Sequence, residues 1–286
     1  MAVKRRKLHL IVANNFLYVN YLQTAETVLQ CLFENERRRC AVAWDILRRE
    51  TVDSTNNVCK ALAAQGASDT AVIAGAQTAG KGRLGRAFQS PPGGLYLSAL
   101  WRGCPAERLF SVTPMAAVAV CRAVESVCGG VCGIKWCNDV VLGGRKLCGI
   151  LTEASLLPDG SAEWLVVGIG VNVGQREFPD DIAEIATSLA LQGLSASTDA
   201  LAQAILEQLT ALRGALDDPA EWLEAYRARC VTIGRRVEVQ RRGASRRGTA
   251  LDVDDRFGLV VRYENGETET IRSGEVSVRG LCGYIE

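Results

Sequence analysis

Histidine is almost missing from this sequence: its 286 residues contain one, His9. A Ser-His-Asp triad needs a histidine held in a packed site, and a His-Glu-x-x-His zinc site needs two. Net charge is nearly missing as well. Lys+Arg 33 against Asp+Glu 32 leaves +1, so the chain as a whole is no polycation built to coat nucleic acid. The eleven cysteines contain no Cys-x-x-Cys pair; Cys128, Cys132, Cys137 and Cys148 cluster without zinc spacing and without a second histidine. An odd count and no credible signal peptide predict reduced, partly buried thiols in a cytoplasmic protein. The N-terminal apolar run is short too. Leu8 to Val12 follows the basic Lys4–Lys7 stretch but breaks at Asn14–Asn15, too soon for secretion or a membrane span. Chemistry here must run mainly on carboxylates, lysines, arginines, backbone amides or a bound metal.

What is present reads as an ordinary globule, 48% apolar and 23% charged. At about 150 residues per domain, the length predicts one large domain and a small one. Residues 1–43 form an extension of unclear structure, too short for a winged-helix DNA-binding module, though one or two short helices are possible. From Trp44 onward the pattern is regular. Asp53 or Ser54 caps a helix running toward Gln65, with Gly66 as its left-handed stop. Strands are predicted at 71–77, 95–101, 134–142, 147–156 and 164–173. A helix opens at Thr113-Pro114 and ends near Gly129-Gly130. Leu201, Ile205, Leu209 and Leu212 mark the core face of a later helix. After Cys230 the period changes to two, with Val237, Val239, Leu259 and Val261 inward and a hairpin turn at 264–267. The class is α+β, with a small all-β tail.

The densest chemical signal is Gln77-Thr-Ala-Gly80-Lys81-Gly82-Arg83-Leu84-Gly85-Arg86. Three glycines let the backbone approach an anion, and three cations neutralise it. Neither the dinucleotide fingerprint nor the P-loop fits this spacing. The bland alternative is a solvated basic turn. A second cluster, Lys135-Trp136-Cys137-Asn138-Asp139 followed by Lys146-Leu147-Cys148-Gly149-Ile150, places a carboxylate between two apolar strands. Such a carboxylate is costly unless it serves a cation or donor. The bland alternative there is a hairpin with a capping aspartate. The third piece, Gly168-Ile169-Gly170-Val171-Asn172-Val173, has glycines alternating on one face, which suggests a bulge or a flat ligand against the backbone.

Ser54-Thr55-Asn56, the loop Gly80 to Phe88, Lys135 to Asp139, Lys146 to Ile150 and Gly168 to Val173 occur in an order and at separations that resemble biotin–protein ligases. The resemblance covers residues 44 to 283. It implies a class II synthetase-like catalytic domain of mixed or antiparallel sheet with helices at 44–229, then an SH3-like β-barrel at 230–286. It also implies ATP and Mg²⁺, with biotin activated to biotinyl-5′-AMP and passed to a lysine of a biotin carboxyl carrier domain, as in acetyl-CoA carboxylase. Carried over, Arg83, Lys146 and Asp139 are the catalytic candidates. Ser54, Thr55, Asn56, Gln77, Gly80, Lys81, Gly82, Arg83, Lys146 and Gly149 would bind biotin. Arg83, Arg86, Phe88, Asn138, Lys146 and Asn172 would bind ATP or the adenylate; metal ligands are not assigned. This sequence departs from the family pattern at Lys81 (usually Arg), Phe88 (usually Trp) and Cys137 (usually Pro).

Three rivals are weighed against this reading. Lipoate and octanoate acyltransferases resemble the same fold, but the basic glycine loop joined to Lys-Trp-x-Asn-Asp favours biotin. A bifunctional ligase and biotin-responsive repressor would need a DNA-binding module that 1–43 does not display, so DNA is not an expected partner. An RNA-binding barrel is suggested by Arg235, Arg236, Arg241, Arg242, Arg246 and Arg247, with Glu238 as the nearby acid, but stacking aromatics are sparse. A solvated basic hairpin, or a surface meeting ATP or an acidic carrier, fits those arginines better. No membrane contact is expected, and monomer or homodimer is left open.

Overall fold

Alternation within the apolar strands decides the architecture, because successive strand residues face opposite sides. The computed structural model describes residues 43–241, 244–272 and 277–280. The sequence readings for 1–42, including the possible helices, lie outside them. In β3 (Leu95–Cys104), Leu95, Leu97, Ala99 and Trp101 enter one core while Leu100 joins Val72 and Val166 in a second, on the other face. A sheet apolar on both faces needs cover on both. Its strands are β1 (Asp45–Val52), β2 (Thr70–Gln77), β3, β4 (Gly133–Lys135), β5 (Asp139–Leu142), β6 (Arg145–Leu156) and β7 (Ala162–Val171). They lie in the order β1-β2-β3-β7-β6-β5-β4. β1 and β2 run parallel and every other pair is antiparallel.

The helix α1 (Thr55–Ala64) covers one face through Cys59 and Ala63. The other is covered by α2 (Leu109–Cys128), with α3 (Thr198–Gly214) and α4 (Ala220–Arg229) packed around it. Val112, Met115, Val118 and Val124 of α2 are fully buried, and each such side chain contributes about 1.5–3 kcal/mol. Among the described residues, the stretch 106–128 is long and apolar enough to cross a membrane, but 67% of its apolar window is buried inside this fold. Its composition is that of a core helix.

The tail is a small SH3-like antiparallel sheet: β8 (Arg236–Arg241), β9 (Ala244–Val253), β10 (Leu259–Tyr263), β11 (Thr268–Ile271) and β12 (Ser277–Gly280), ordered β11-β10-β9-β8-β12. Val237, Val239, Leu259 and Val261 are buried as their period predicts. This sheet shares one continuous core with the larger one. Tyr226 of α4 meets Phe257 edge to face at 5.5 Å, and the Arg227 guanidinium donates to Val253 O at 2.5 Å.

Four local expectations change. The helix expected at Thr113-Pro114 begins earlier: Pro105 opens a short 3₁₀ turn that runs directly into α2, leaving Pro114 inside the helix. Thr113 spends its hydroxyl on Thr152 Oγ1 at 2.7 Å rather than on a cap. The run 134–142 divides into β4 and β5 around a turn at 136–138. The α1 cap is not made by Ser54, which has cap dihedrals but no side-chain cap bond. Two elements escaped the sequence reading altogether, β1 and α4.

Candidate functional site

The parallel register of β1 and β2 pairs Val52 with Gln77, so both strands end together where α1 begins. Two helix-start donors are served there by side chains. Gln77 Oε1 accepts from Thr55 N at 2.8 Å and lies 3.1 Å from Thr55 Oγ1, while its Nε2 donates to Ser90 Oγ at 2.9 Å. Asp53 accepts from Ser54 N at 2.6 Å and Asn57 Nδ2 at 2.5 Å. The bond from Asn57 holds the Asp53 carboxyl below its usual value. Ser54, Thr55 and Asn56 are thereby buried yet polar, at the floor of a cleft.

The glycine-rich loop is a short hairpin. Phe88 N donates to Gly80 O at 2.9 Å and Gly82 N to Arg86 O at 2.7 Å. Gly80 has no room for a side chain, since a Cβ there would overlap Phe88 O and Ser90 Oγ. Its tip carries Leu84, exposed and held at φ 57°, and Gly85 at φ 74°. From this hairpin Lys81 donates to Asn57 Oδ1 at 2.7 Å, and Arg83 reaches across to Asn138 Oδ1 at 3.0 Å, with Cys137 Sγ at 3.3 Å.

The turn that receives Arg83 is the Lys-Trp-Cys-Asn-Asp segment, whose Trp136–Cys137 peptide is cis. Asn138 Nδ2 donates to Ile150 O at 3.1 Å and Asp139 Oδ1 at 3.2 Å. Asp139 is ion-paired with Lys146 Nζ at 2.7 Å. Arg83, Asn138, Asp139 and Lys146 thus form one connected line with two cations against one carboxylate. That excess of positive charge and of directed donors suits an anionic group with several oxygens.

Glycines on the α1 side of the sheet make the cleft. Gly149 of β6 lies opposite Gly170 of β7, and the Phe88 ring rests on both. A Cβ on Gly149 would come within 3.0 Å of the ring, and one on Gly170 would overlap it. A Cβ on Gly168 would overlap the Asn56 amide. The flat group that the alternating glycines predict is therefore met, in this structure, by the chain's own side chains. Lys146 Nζ stands 5.9 Å from the Phe88 ring centroid, within cation–π range.

The cleft opens to solvent and encloses about 60 Å³ of free space, less than small-molecule sites usually offer. Ser54, Thr55, Asn56, Gln77, Lys81, Gly82, Arg83, Phe88, Asn138, Lys146 and Gly149 all line it. The remaining candidates lie outside the lining. Gly80 supports the hairpin, Arg86 is exposed on it, and Asp139 stands behind Lys146. Asn172 is buried just beyond β7, where its Nδ2 donates to Thr187 O at 2.9 Å. Its place there is to fasten the strand end to the segment at 187–189.

Sequence reasoning missed Ser98, Glu153 and Lys60. Ser98 is fully buried in β3, 2.7 Å from Thr55 Oγ1 and 2.6 Å from Asn56 Oδ1. Glu153 accepts from Asn56 Nδ2 at 2.7 Å and from Lys60 Nζ at 2.8 Å. Burial raises the Glu153 carboxyl, but the bonds from Lys60 and Asn56 outweigh it and leave the group below its ordinary value. A lone serine within Leu-Tyr-Leu-Ser-Ala-Leu-Trp was the available signal. The basic cluster of the tail also changes character. Beyond Glu238, Arg246 meets Glu267 at 2.6 Å and Glu269 at 3.8 Å, and Arg236 meets Glu264 at 3.5 Å. The β10–β11 hairpin brings those acids alongside, which favours the solvated-hairpin reading. Among the described residues, no three His, Cys, Asp or Glu side chains converge as a metal site.

Residues 49–172 match the Biotin/lipoate A/B protein ligase family, and 232–279 match the Biotin protein ligase C terminal domain. A bifunctional ligase/repressor BirA from Bacillus spizizenii is 37% identical over 150 residues, 51% of this chain and 46% of that protein. The match thus spans about half that relative's length. The biotin–[acetyl-CoA-carboxylase] ligase of Mycobacterium tuberculosis is 35% identical over 234 residues, 78% of this chain and 85% of that one. Among solved structures, the Aquifex aeolicus biotin protein ligase in complex with biotin and ATP superposes with a TM-score of 0.72 at 28% identity. That match covers 82% of this chain and 99% of the other.

Proposed function

From the premise that this chain belongs to the biotin protein ligase family, we propose that it joins biotin to a carrier-protein lysine in two ATP-dependent steps. A biotin carboxylate oxygen attacks the α-phosphorus of ATP; the bond to the bridging oxygen breaks, giving biotinyl-5′-AMP and pyrophosphate. The carrier lysine amine then attacks the acyl carbon, and AMP leaves with the bonding electrons. The observation that carries this reading is the single cleft in which the Ser54–Asn56 and Gln77 floor meets Arg83, Phe88, Asn138, Lys146 and Gly149.

Each group has a job that its chemistry fits. A carboxylate nucleophile is already ionised at neutral pH, so the first step needs no general base. It needs neutralisation and in-line placement of phosphate, which Arg83 and Lys146 supply from two sides. Ser54, Thr55 and Gln77 hydrogen-bond the ureido ring, the Gly80–Arg83 hairpin covers biotin and phosphate, and Phe88 with Arg86 flanks the adenylate. Asp139, already beside Lys146, is our candidate to accept the carrier amine's proton. Mg²⁺ bound with the nucleotide would supply further neutralisation, with Asp139 as the residue that would help hold it. Asn172 acts on the nucleotide only through the segment it anchors. We assign residues 44–229 as the catalytic domain and 230–286 as the tail domain, in the cytoplasm, with a biotin carboxyl carrier domain as partner.

The test is to mix the protein with biotin, ATP, Mg²⁺ and a carrier domain and weigh the carrier by intact mass spectrometry. An ATP-dependent gain of one biotinyl group, and no gain with lipoate, is the expected result. A gain with lipoate or octanoate alone would move the chain to the acyltransferase branch.

A further inference from the structure

The cleft floor ends in a row of hydrogen bonds whose direction can be worked out from one fixed end. Glu153 is ionised, so it only accepts. Leu151 O, 3.3 Å from the same Asn56 nitrogen, also only accepts. Asn56 must therefore turn its NH₂ toward β6 and its carbonyl oxygen toward Ser98. Asn56 Oδ1 can only accept, so the Ser98 proton goes to it at 2.6 Å. One hydroxyl has one proton, so the 2.7 Å contact between Ser98 and Thr55 must then carry the proton of Thr55. Gln77 Oε1, 3.1 Å away and already holding the Thr55 backbone N–H, is the weaker rival for that proton.

Resting on the biotin reading of this cleft, we infer that Glu153 and Ser98 are positioning residues that fix Thr55 Oγ1 as a hydrogen-bond acceptor. They thereby select a ligand that presents a ring N–H rather than an oxygen. Neither residue lies in the cleft lining; both act through Thr55, which does. Lys60, paired with Glu153 at 2.8 Å, holds the far end of the row in its ionised state. Gly168 is the matching vacancy in β7, since any side chain there would dislodge the Asn56 amide.

Glu153→Gln removes the stronger of the two acceptors that fix Asn56 and leaves only Leu151 O at 3.3 Å to hold its NH₂, so the row is free to run the other way. The new amide turns its oxygen to Lys60 and its NH₂ to Asn56, so Asn56 offers its own NH₂ to Ser98. Ser98 then donates to Thr55, whose proton is released toward the ligand. Ser98→Ala removes the acceptor of the Thr55 proton and leaves it only the weaker one, Gln77 Oε1 at 3.1 Å, so it is held less firmly away from the ligand. The probes are biotin and its cyclic carbamate isosteres, in which one or other ring N–H is replaced by oxygen. Binding to the full chain is measured by calorimetry without ATP. One isostere should bind about 100-fold more weakly than biotin to the wild-type chain, since a lost N–H leaves oxygen facing oxygen. In Glu153→Gln and Ser98→Ala that ratio should fall below about 10-fold. General damage to the cleft would weaken biotin and isostere alike and leave the ratio unchanged. An unchanged ratio in both variants, with biotin still bound by the wild type, overturns the inference alone. Failure of the wild-type chain to bind biotin overturns the reading beneath it and the inference together.

Discussion

Arg83 stands on an exposed hairpin and touches the rest of the cleft through Asn138 and Cys137 alone among the bonds described. Function and folding therefore separate at this residue. Arg83→Ala should reduce biotin-dependent pyrophosphate exchange by about 100-fold or more while moving the melting temperature by no more than about 2 °C. Lys146→Gln keeps a donor for Asp139 but loses the charge, and the same assay should show a loss of similar size. Exchange at the wild-type rate in either variant would remove that residue from the adenylate-forming set. Lys81 poses a subtler case. Its ammonium is a point charge tied to Asn57 at 2.7 Å, whereas an arginine would present a fork that matches phosphate. Lys81→Arg should slow release of the biotinyl adenylate by roughly tenfold, the worth of one added charge-assisted bond. Release can be followed by rapid gel filtration of the preformed complex. Unchanged release would mean that Lys81 meets no phosphate oxygen.

The strand glycines show what an element adds to its residues. Gly149 and Gly170 face each other across β6 and β7 and leave the depth that the Phe88 ring fills. Gly170→Ala should cost about 1–3 kcal/mol of stability through overpacking, read as a lower melting temperature. Gly170→Ala combined with Phe88→Ala should regain that stability without regaining pyrophosphate exchange. Stability not regained in the double variant would mean that some other group meets the new methyl. This pair also explains how far the sequence could be read. The alternating glycines announce close approach to backbone, but the approaching group, Phe88, is distant in sequence from Gly149, a pairing only the folded chain makes. The clustered charges of 77–86 and 135–146 are legible because each cluster is continuous in sequence. Asn172 looks like a site residue beside those glycines, yet its side chain turns to Thr187. β1 was illegible because it lies on the sheet edge with most side chains exposed and no alternation to detect. In α4, Trp222, Leu223 and Tyr226 are buried among charged neighbours over only ten residues, too short for a clear period. Pro114 misled because a proline early in a helix usually marks its start, and here Pro105 already had.

At the scale of the whole molecule, the turn bearing Asn138 and Asp139 is held from behind by two connections of the tail, the one before β8 and the one between β9 and β10. Trp136 N donates to Thr232 Oγ1 at 2.9 Å, and the indole Nε1 donates to Phe257 O at 2.9 Å. Phe257 is buried at φ 60°, a conformation that a bulky residue keeps only where its surroundings impose it. The indole on one side and Tyr226 on the other supply those surroundings. The cleft cations thus reach the tail through a short path: Arg83 to Asn138, two residues along to Trp136, then Phe257. Trp136→Phe keeps most of the ring's bulk but leaves the Phe257 carbonyl buried without its donor, costing about 1–3 kcal/mol. Because one core runs through both sheets, that loss should appear as a lower melting temperature in a single cooperative transition. Pyrophosphate exchange at 25 °C, where the variant remains folded, should fall as well, because the turn that receives Arg83 loses its backing. Two separate transitions would show that the tail unfolds on its own. A destabilised variant with undiminished exchange would show that the turn keeps its geometry without the tail.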